Sequence, residues 1–151
     1  MDEQPLNLPL VRSLVTDFIY RQITRAGFQR AVIGLSGGLD SGLACFLAAE
    51  ALGAQNVLAV RMPYRTSSPE SLEHAQMVID QLGVPSLTLP ITEMVDPYLE
   101  RFPGISDLRR GNILARQRMV VLFDQSAAFN GLVVGTGNKT EILLGYTTLY
   151  G

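Results

Sequence analysis

The stretch of sequence that decides the fold is Val32-Ile33-Gly34-Leu35-Ser36-Gly37-Gly38-Leu39-Asp40-Ser41. Its first four residues belong to an apolar run, residues 31–35, that is typical of a buried parallel strand. The chain then turns through Ser36, Gly37 and Gly38 and enters a helical pattern over residues 41–52. The first N–H groups of a helix have no internal partner, and the helix dipole is positive at that end. The stretch therefore predicts a strand, a glycine turn and a helix start that together bind an anion.

The side chains of the turn indicate which anion would bind. Glycine lets phosphate oxygens approach the backbone closely, and Ser36 and Ser41 supply hydroxyl donors. Asp40 would repel a phosphate unless a cation lay between them, and Mg²⁺ is the cation commonly shared by carboxylates and phosphates. The alternative is that Asp40 is only a helix N-cap and the glycines only a tight turn. The Walker A ending and the Gly-x-Gly-x-x-Gly dinucleotide spacing are both absent from the stretch.

The composition is that of a globular chain without a general attraction for polyanions. Of its 151 residues, 47% are hydrophobic and 17% are charged, so we expect one domain with its own core. A net charge of −2 argues against nucleic acid and anionic membranes as partners, and the apolar runs are too short to span a bilayer. The start of the chain lacks the basic residues of a signal peptide, and the single cysteine, Cys45, has no internal partner. These features predict a cytoplasmic location.

Helical and strand patterns alternate along the rest of the chain. Residues 2–9 should be an extended lead-in; helices are predicted over 10–26, 41–52, 69–82, 92–100 and 107–129, and strands over 31–35, 57–60, 86–90 and 132–135. A second glycine turn at 136–141 should lead into a short helix. This order predicts an α/β fold with an open parallel sheet flanked by helices. Because ligands of such sheets bind at the carboxyl ends of the strands, both glycine turns, Arg61 and Arg65 should face one crevice.

Some side chains are assigned to packing rather than chemistry. The inner face of the helix over 41–52 is predicted to consist of Leu43, Phe46, Leu47 and Ala51. Cys45, in the same helix, should be a small packing residue. Ser68 should cap the helix that begins at Pro69. His74 has no second histidine or cysteine near it, so we expect a surface or packing role and not a metal site.

Three ordered motifs resemble those of one enzyme family. Ser36-Gly37-Gly38-Leu39-Asp40-Ser41 resembles the SGGxDS loop of the ATP pyrophosphatase (PP-loop) superfamily, whose members cleave ATP between the α- and β-phosphates. Residues 112–119, NILARQRM, look like the N-I-x-A-R-x-R-M motif of NAD synthetases, and residues 134–141 and 145–151 resemble that family's next segment. The resemblance implies a Rossmann-like fold of the adenine nucleotide α-hydrolase type. It also implies an enzyme that adenylates deamido-NAD and lets ammonia displace AMP, giving NAD, AMP and pyrophosphate.

The resemblance implies roles for individual residues. The implied ATP-binding residues are Gly34, Leu35, Ser36, Gly37, Gly38, Leu39, Asp40, Ser41, Arg61 and Thr136. Asp40 and Glu141 would be the catalytic pair, holding Mg²⁺ against the ATP phosphates. Asn112 and Arg116 would bind deamido-NAD, although Arg116 taken alone would be interpreted as a solvated charge on a helix face. Lys139 is open to two interpretations, a phosphate contact or a surface lysine. Family members dimerise, so a homodimer is implied, with residues 107–129 as contact surface or, alternatively, as an ordinary core helix.

The sequence also departs from the family pattern. Leu149 stands where many ammonia-dependent members have lysine, and the family continues past residue 151 with further ATP contacts, so we expect a domain cut short at its C-terminus. Cys45 falls within a packed helix and is a poor glutaminase nucleophile, so ammonia, free or delivered by another polypeptide, should be the nitrogen donor. Two other functions are considered: another AMP-forming or tRNA-thiolating enzyme of the superfamily, and a non-catalytic nucleotide-binding module.

Overall fold

The computed structural model describes residues 6–151. The helices are α1 (Leu8–Arg25), α2 (Leu39–Leu52), α3 (Pro69–Leu82), α4 (Thr92–Leu99), α5 (Asp107–Phe129) and α6 (Lys139–Leu144), with a 3₁₀ turn over Ala54–Asn56. The strands are β1 (Ala31–Gly34), β2 (Val57–Arg61), β3 (Ser86–Thr88) and β4 (Leu132–Val134). Half of the predicted lead-in, residues 2–5, lies outside the described residues.

The four strands form one parallel sheet in the order β3-β2-β1-β4, which confirms the predicted open α/β sheet. Ala31 in β1 lies beside Val57 in β2 and Leu132 in β4. The chain therefore moves away from β1 in one direction through β2 and β3, and later returns to the other side of β1 with β4. Because β1 and β4 are adjacent and parallel, the turns that follow them lie side by side at the carboxyl edge of the sheet, where ligands of such sheets bind.

Apolar side chains cover both faces of the sheet. One core cluster joins Ile33 of β1 to Ile23 of α1, Cys45 of α2 and Ile79 of α3. The other joins Val32 of β1 to residues of α4 and α5. Alternate strand residues thus point into two separate cores. Because both faces of the sheet are buried, successive residues of β1 are all apolar. Full burial of each large aliphatic side chain stabilises the fold by about 1.5–3 kcal/mol.

Local capping signals explain where the helices begin. The predicted bounds of α3 and α5 are confirmed, and the Ser68 hydroxyl accepts a hydrogen bond from the Ser71 N–H at 3.2 Å, as expected of a cap. The prediction that residues 8 and 9 are extended is wrong, because α1 begins at Leu8. The Asn7 side chain caps it by accepting from the Leu10 N–H at 3.1 Å, and Pro9 occupies the first turn, where no N–H is needed.

The predicted inner face of α2 is wrong. Its buried residues are Ser41, Gly42, Cys45, Ala48 and Ala49, whereas Leu43 is 55% exposed. Small side chains on the inner face let α2 lie close to the sheet, and the larger ones line a groove between α2 and α1. The packing role of Cys45 is confirmed, since it is fully buried, and His74 lies exposed on α3. Within residues 6–151, no helix combines the length and apolarity needed to cross a membrane.

Candidate active site

Serine hydroxyls fix the shape of the turn between β1 and α2. The Ser41 hydroxyl accepts a hydrogen bond from the Ser36 N–H at 3.2 Å and donates to the Gly38 carbonyl at 3.0 Å. The two serine hydroxyls lie 3.0 Å apart, and the Gly38 N–H donates to the Ser36 hydroxyl at 3.3 Å. Both serines therefore hold the turn together. A serine hydroxyl has one hydrogen, and that of Ser41 is directed at the Gly38 carbonyl, so Ser41 must release this carbonyl before its hydroxyl can donate to a phosphate.

Asp40 is not the cap of α2. The N-cap is Gly38, whose carbonyl accepts the Gly42 N–H at 3.1 Å, and Asp40 lies in the first helical turn. The Asp40 side chain is exposed, and within residues 6–151 its carboxylate makes no hydrogen bond or ion pair. The interpretation of Asp40 as a simple N-cap is therefore wrong, and the carboxylate is available to a ligand.

The turn lines a cavity of about 260 Å³, here called the loop cavity. Its lining residues are Ser36, Gly38, Leu39, Asp40, Ser41, Thr136, Gly137 and Glu141. The last three come from the turn after β4 and the first turn of α6, about a hundred positions further along the chain than the others. The sheet order brings the two glycine turns together at the ends of adjacent parallel strands, as the sequence predicts.

A capping box holds the Glu141 carboxylate in the loop cavity. The Glu141 Oε2 accepts a hydrogen bond from the Asn138 N–H at 2.9 Å, and the Glu141 N–H donates to the Asn138 Oδ1 at the same distance. This reciprocal pair begins α6 and fixes the rotamer of the glutamate. Asn138 is thus a supporting residue that the motif comparison does not assign.

The carboxylates of the loop cavity suit a cation that is shared with a ligand. Within residues 6–151 no group of three or more His, Cys, Asp or Glu side chains could hold a metal ion by itself. Asp40 and Glu141 are the two carboxylates that line the cavity. Mg²⁺ is commonly held by one or two carboxylates with the remaining positions filled by phosphate oxygens and water. The donor set therefore fits Mg²⁺ bound together with a phosphate ligand, and it does not form an all-protein metal cage.

A second cavity, of about 390 Å³, lies across the ends of β1 and β2 and is here called the strand-end cavity. It is lined by Gly34, Leu35, Ser36, Arg61, Met62, Pro63, Ser67, Ser68, Ser71, Leu72, Arg118 and Leu122. No carboxylate side chain is among these residues. Ser36 lines both cavities, so the two form adjoining halves of one site.

Arg61 reaches the strand-end cavity from the end of β2. Its Nη1 donates to the Gln76 Oε1 at 2.6 Å, and the Gln76 Nε2 donates to the Asp80 Oδ1 at 2.7 Å. The Arg61 Nε is buried and has no hydrogen-bond partner among the residues that the structure describes. A side chain held in this way has few other conformations, so the guanidinium of Arg61 is oriented before any ligand arrives.

Arg65 does not share the cavities with Arg61. It forms an ion pair with Asp96 at 3.0 Å and stacks over the ring of Tyr64 at 5.5 Å. The Tyr64 hydroxyl donates to the same Asp96 carboxylate at 2.7 Å, and this hydrogen bond, with burial, raises the pKa of Tyr64. The cluster attaches the segment after β2 to α4 and has a structural role.

Asn112 and Arg116 lie away from both cavities. The Thr148 hydroxyl donates to the Asn112 Oδ1 at 2.7 Å, and the Arg116 Nε donates to the Leu149 carbonyl at 3.3 Å. The two side chains thus hold residues 148–149 against the N-terminal half of α5. Lys139, at the start of α6, is exposed and lines neither cavity.

Comparisons with known proteins agree with this architecture. The sequence model of the family described as NAD synthase matches residues 11–151. The chain belongs to the NAD synthase family. It is 54% identical over 151 residues to the NH(3)-dependent NAD(+) synthetase of Trichlorobacter lovleyi, and the match covers all of this chain and 55% of that protein. The chain therefore spans about half the length of the curated relatives that it matches.

Solved structures of NAD synthetases share the fold. The NH3-dependent NAD synthetase of Campylobacter jejuni has a TM-score of 0.90 and 36% identity, over 97% of this chain and 63% of that one. A glutamine-dependent NAD+ synthetase of Acinetobacter baumannii, solved in complex with ADP, has a TM-score of 0.91 and 33% identity. That match covers all of this chain and 30% of the Acinetobacter chain. The resemblance inferred from the three motifs and the Rossmann-like PP-loop fold are thereby confirmed.

Arg118 lines the strand-end cavity, although no role in the site was predicted for it from the sequence. The Arg118 Nε donates to the Met62 carbonyl at 3.2 Å, and burial lowers the pKa of the Arg118 guanidinium. Arg118 is the second arginine of the 112–119 motif, two residues after Arg116, and residues two apart on a helix do not face the same way. Arg118 lies four residues after Leu114 and four before Leu122, and both leucines pack against the core. This spacing was the sequence signal that Arg118 lies on the inner face of the helix.

Cys45 is expected to be inert to thiol reagents in the folded chain. It is fully buried, and burial raises the pKa of its thiol from 9.0 to about 11, so about a hundredfold less of the reactive thiolate forms near neutral pH. Labelling with a chromogenic disulfide at pH 8 should be slow in buffer and rapid in denaturing urea. Folding stability should fall as the pH rises from 9 towards 11, because the thiol loses its proton first in the unfolded chain. Rapid labelling of the folded chain would contradict this burial.

Proposed function

We propose that this protein acts in NAD biosynthesis as a ligase that amidates deamido-NAD with ammonia at the expense of ATP. The observation that carries the proposal is the pair of adjoining cavities around Ser36, in a chain that belongs to the NAD synthase family. One cavity has the hydroxyls and carboxylates suited to magnesium pyrophosphate. The other has apolar walls and guanidinium groups suited to a nucleoside.

The loop cavity would bind the phosphates of ATP. The Ser36 and Ser41 hydroxyls and the backbone at Gly38 lie at the start of α2, where the helix dipole favours an anion. Thr136 would add a hydroxyl contact from the opposite turn. Bound Mg²⁺ would neutralise charge on the phosphates, and Asp40 and Glu141 would hold it there.

The strand-end cavity would bind the adenosine half of ATP. Gly34 and Leu35 form its floor, and Arg61 approaches from the neighbouring strand. Gly37 shapes the turn between the two cavities, and Leu39 lies exposed at the rim of the loop cavity. ATP bound in this way would place its α-phosphate near Ser36, where the two cavities meet.

The reaction would proceed in two displacements. An oxygen of the nicotinate carboxylate attacks the α-phosphorus, and the bond to pyrophosphate breaks. Ammonia then attacks the carbonyl carbon of the adenylate, AMP leaves, and the nitrogen releases a proton to give the amide. Neutral ammonia carries its own lone pair, so positioning and charge stabilisation can supply most of the acceleration. Asn112 and Arg116 are proposed to contact deamido-NAD, since guanidinium suits its carboxylate and phosphates.

The partners that we propose are deamido-NAD, ATP, ammonia and a second copy of the chain. Exposed apolar residues on α5, among them Leu108 and Phe123, support this helix as the contact surface of a homodimer. The net charge of −2 gives no reason to propose a nucleic acid. The cytoplasmic location and the single, shortened domain stay predictions.

The test supplies the purified protein with ATP, Mg²⁺, ammonium and deamido-NAD and measures NAD and AMP by chromatography. NAD and AMP should appear in equal amounts, and glutamine in place of ammonium should give no NAD. Adenylation of a different acceptor, such as tRNA, would favour the other enzymes of the superfamily. ATP binding without turnover, with every substrate present, would favour a nucleotide-binding module.

A further inference from the structure

We propose that Arg118 binds the adenosine half of the nucleotide through the terminal nitrogens of its guanidinium. This role rests on the proposed function and adds to it a residue outside the set assigned to ATP above. The argument comes from the anchoring of the side chain, from its unused donors and from the walls of the cavity that it lines.

Arg118 is anchored where β1 and β2 end. Its Nε donates to the Met62 carbonyl, the first residue after β2, at 3.2 Å. One helical turn further on, Leu122 packs against Gly34 so closely that a Cβ built on the glycine would lie 3.2 Å from the Leu122 Cδ1. These contacts hold this part of α5 against the strand ends. The guanidinium is therefore held at the carboxyl ends of β1 and β2, beside the strand-end cavity, and is not a mobile surface charge.

The remaining donors of Arg118 are unused within the described part of the chain. Nε makes its one hydrogen bond, and the ion pairs among residues 6–151 involve Arg12, Arg21 and Arg65 instead. Among the described residues, the only buried side-chain nitrogen or oxygen without a hydrogen-bond partner is the Arg61 Nε. The terminal nitrogens of Arg118 have no partner either, so they are not buried and a ligand can reach them. Each of those nitrogens carries two N–H donors. These donors are therefore free to pair with the acceptors of a ligand that enters the strand-end cavity.

The walls of the strand-end cavity indicate which half of a nucleotide Arg118 meets. Leu35, Leu72 and Leu122 provide apolar surface for a flat base, and no carboxylate lines the cavity. A purine offers ring nitrogens as acceptors and a face on which a guanidinium can stack. The carboxylates that would hold a magnesium pyrophosphate lie in the loop cavity, on the other side of Ser36. Arg118 therefore faces the nucleoside.

The test compares ligands that occupy one half of the site. Binding of adenosine, AMP and magnesium pyrophosphate to the full chain is measured by calorimetry for the wild type, Arg118→Met and Arg118→Lys. Arg118→Met should weaken adenosine and AMP binding by about tenfold or more, the usual effect of losing hydrogen bonds to a charged donor, and leave pyrophosphate binding unchanged. Arg118→Lys keeps the charge without the planar fork and should recover only part of the affinity.

The matched control is Arg109→Met, which removes an exposed arginine of the same helix that lies over Phe102 and lines neither cavity. It should leave all three affinities unchanged. Unchanged adenosine binding in a folded Arg118 variant would overturn the proposal, as would a loss confined to pyrophosphate or to AMP. If Arg118→Met does not fold, Arg118→Lys decides by the same comparison. A wild type that binds none of the three ligands would overturn the proposed function, and this inference with it.

Discussion

Replacing Gly37 by alanine is expected to destabilise the fold by roughly 3 kcal/mol and to abolish nucleotide binding at the loop. Gly37 has a φ of +82°, a conformation that side chains rarely adopt. A Cβ at this position would also lie 2.0 Å from the backbone carbonyl oxygen of Ser71 in α3. A helix carbonyl cannot rotate aside, so the turn or the helix must shift.

Gly27→Ala is the matched control for this prediction. Gly27 has a φ of +85°, but a Cβ there would meet nothing within 4 Å. This variant should lose only about 1–2 kcal/mol of folding stability, which is the cost of a left-handed backbone conformation for a residue with a Cβ. It should bind ATP as the wild type does. Urea unfolding and ATP calorimetry of both variants measure the difference. Equal losses of stability in the two would show that the approach to Ser71 does not restrict the turn.

The approach of Gly37 to Ser71 explains how the two cavities are held together. Gly37 lies in the turn that shapes the loop cavity, and Ser71 lines the strand-end cavity. Because the turn touches the helix backbone directly, a shift of α3 moves both walls together. The distance between the loop cavity and the strand-end cavity is therefore set by backbone packing and not by flexible side chains.

Local signals explain which parts of the fold could be predicted from the sequence. The capping residue Ser68 placed the start of α3, and apolar patterns placed α5 and, to within one residue, β1, because these features act within a few residues. The inner face of α2 could not be found in this way. That helix is apolar around most of its circumference, so periodicity marks no single face, and close packing on the sheet selected Ser41, Cys45 and Ala48.

The candidate site shows a similar division. The motifs and the rule for parallel sheets were enough to bring Asp40 and Glu141 to one cavity. Arg118 and Gln76 were missed because their roles depend on which helix face meets the ends of the strands, which only the packed structure defines. The placement of Asn112 beside Thr148 likewise follows from the path of the chain after α6.

Asp40→Asn and Glu141→Gln are each expected to reduce Mg²⁺-dependent NAD formation by about 100-fold or more while preserving the fold. The Asp40 carboxylate makes no hydrogen bond or ion pair within the described residues, so asparagine breaks none. Glutamine at position 141 can still accept from the Asn138 N–H and complete the capping box. Each change removes one negative charge from the loop cavity, so the loss should appear as a weaker dependence of ATP binding on Mg²⁺.

The double variant tests whether the two carboxylates hold the same ion. If one Mg²⁺ bridges them, either single change removes most of the benefit, and the combined loss should be far smaller than the product of the two. Asp107→Asn is the control, because Asp107 is also a carboxylate in the first turn of a helix but lines neither cavity. It should leave turnover, ATP affinity and the Mg²⁺ titration unchanged. A fully multiplicative loss would assign the carboxylates to separate roles, and an Asp40→Asn protein with unaltered Mg²⁺ dependence would remove Asp40 from the metal site.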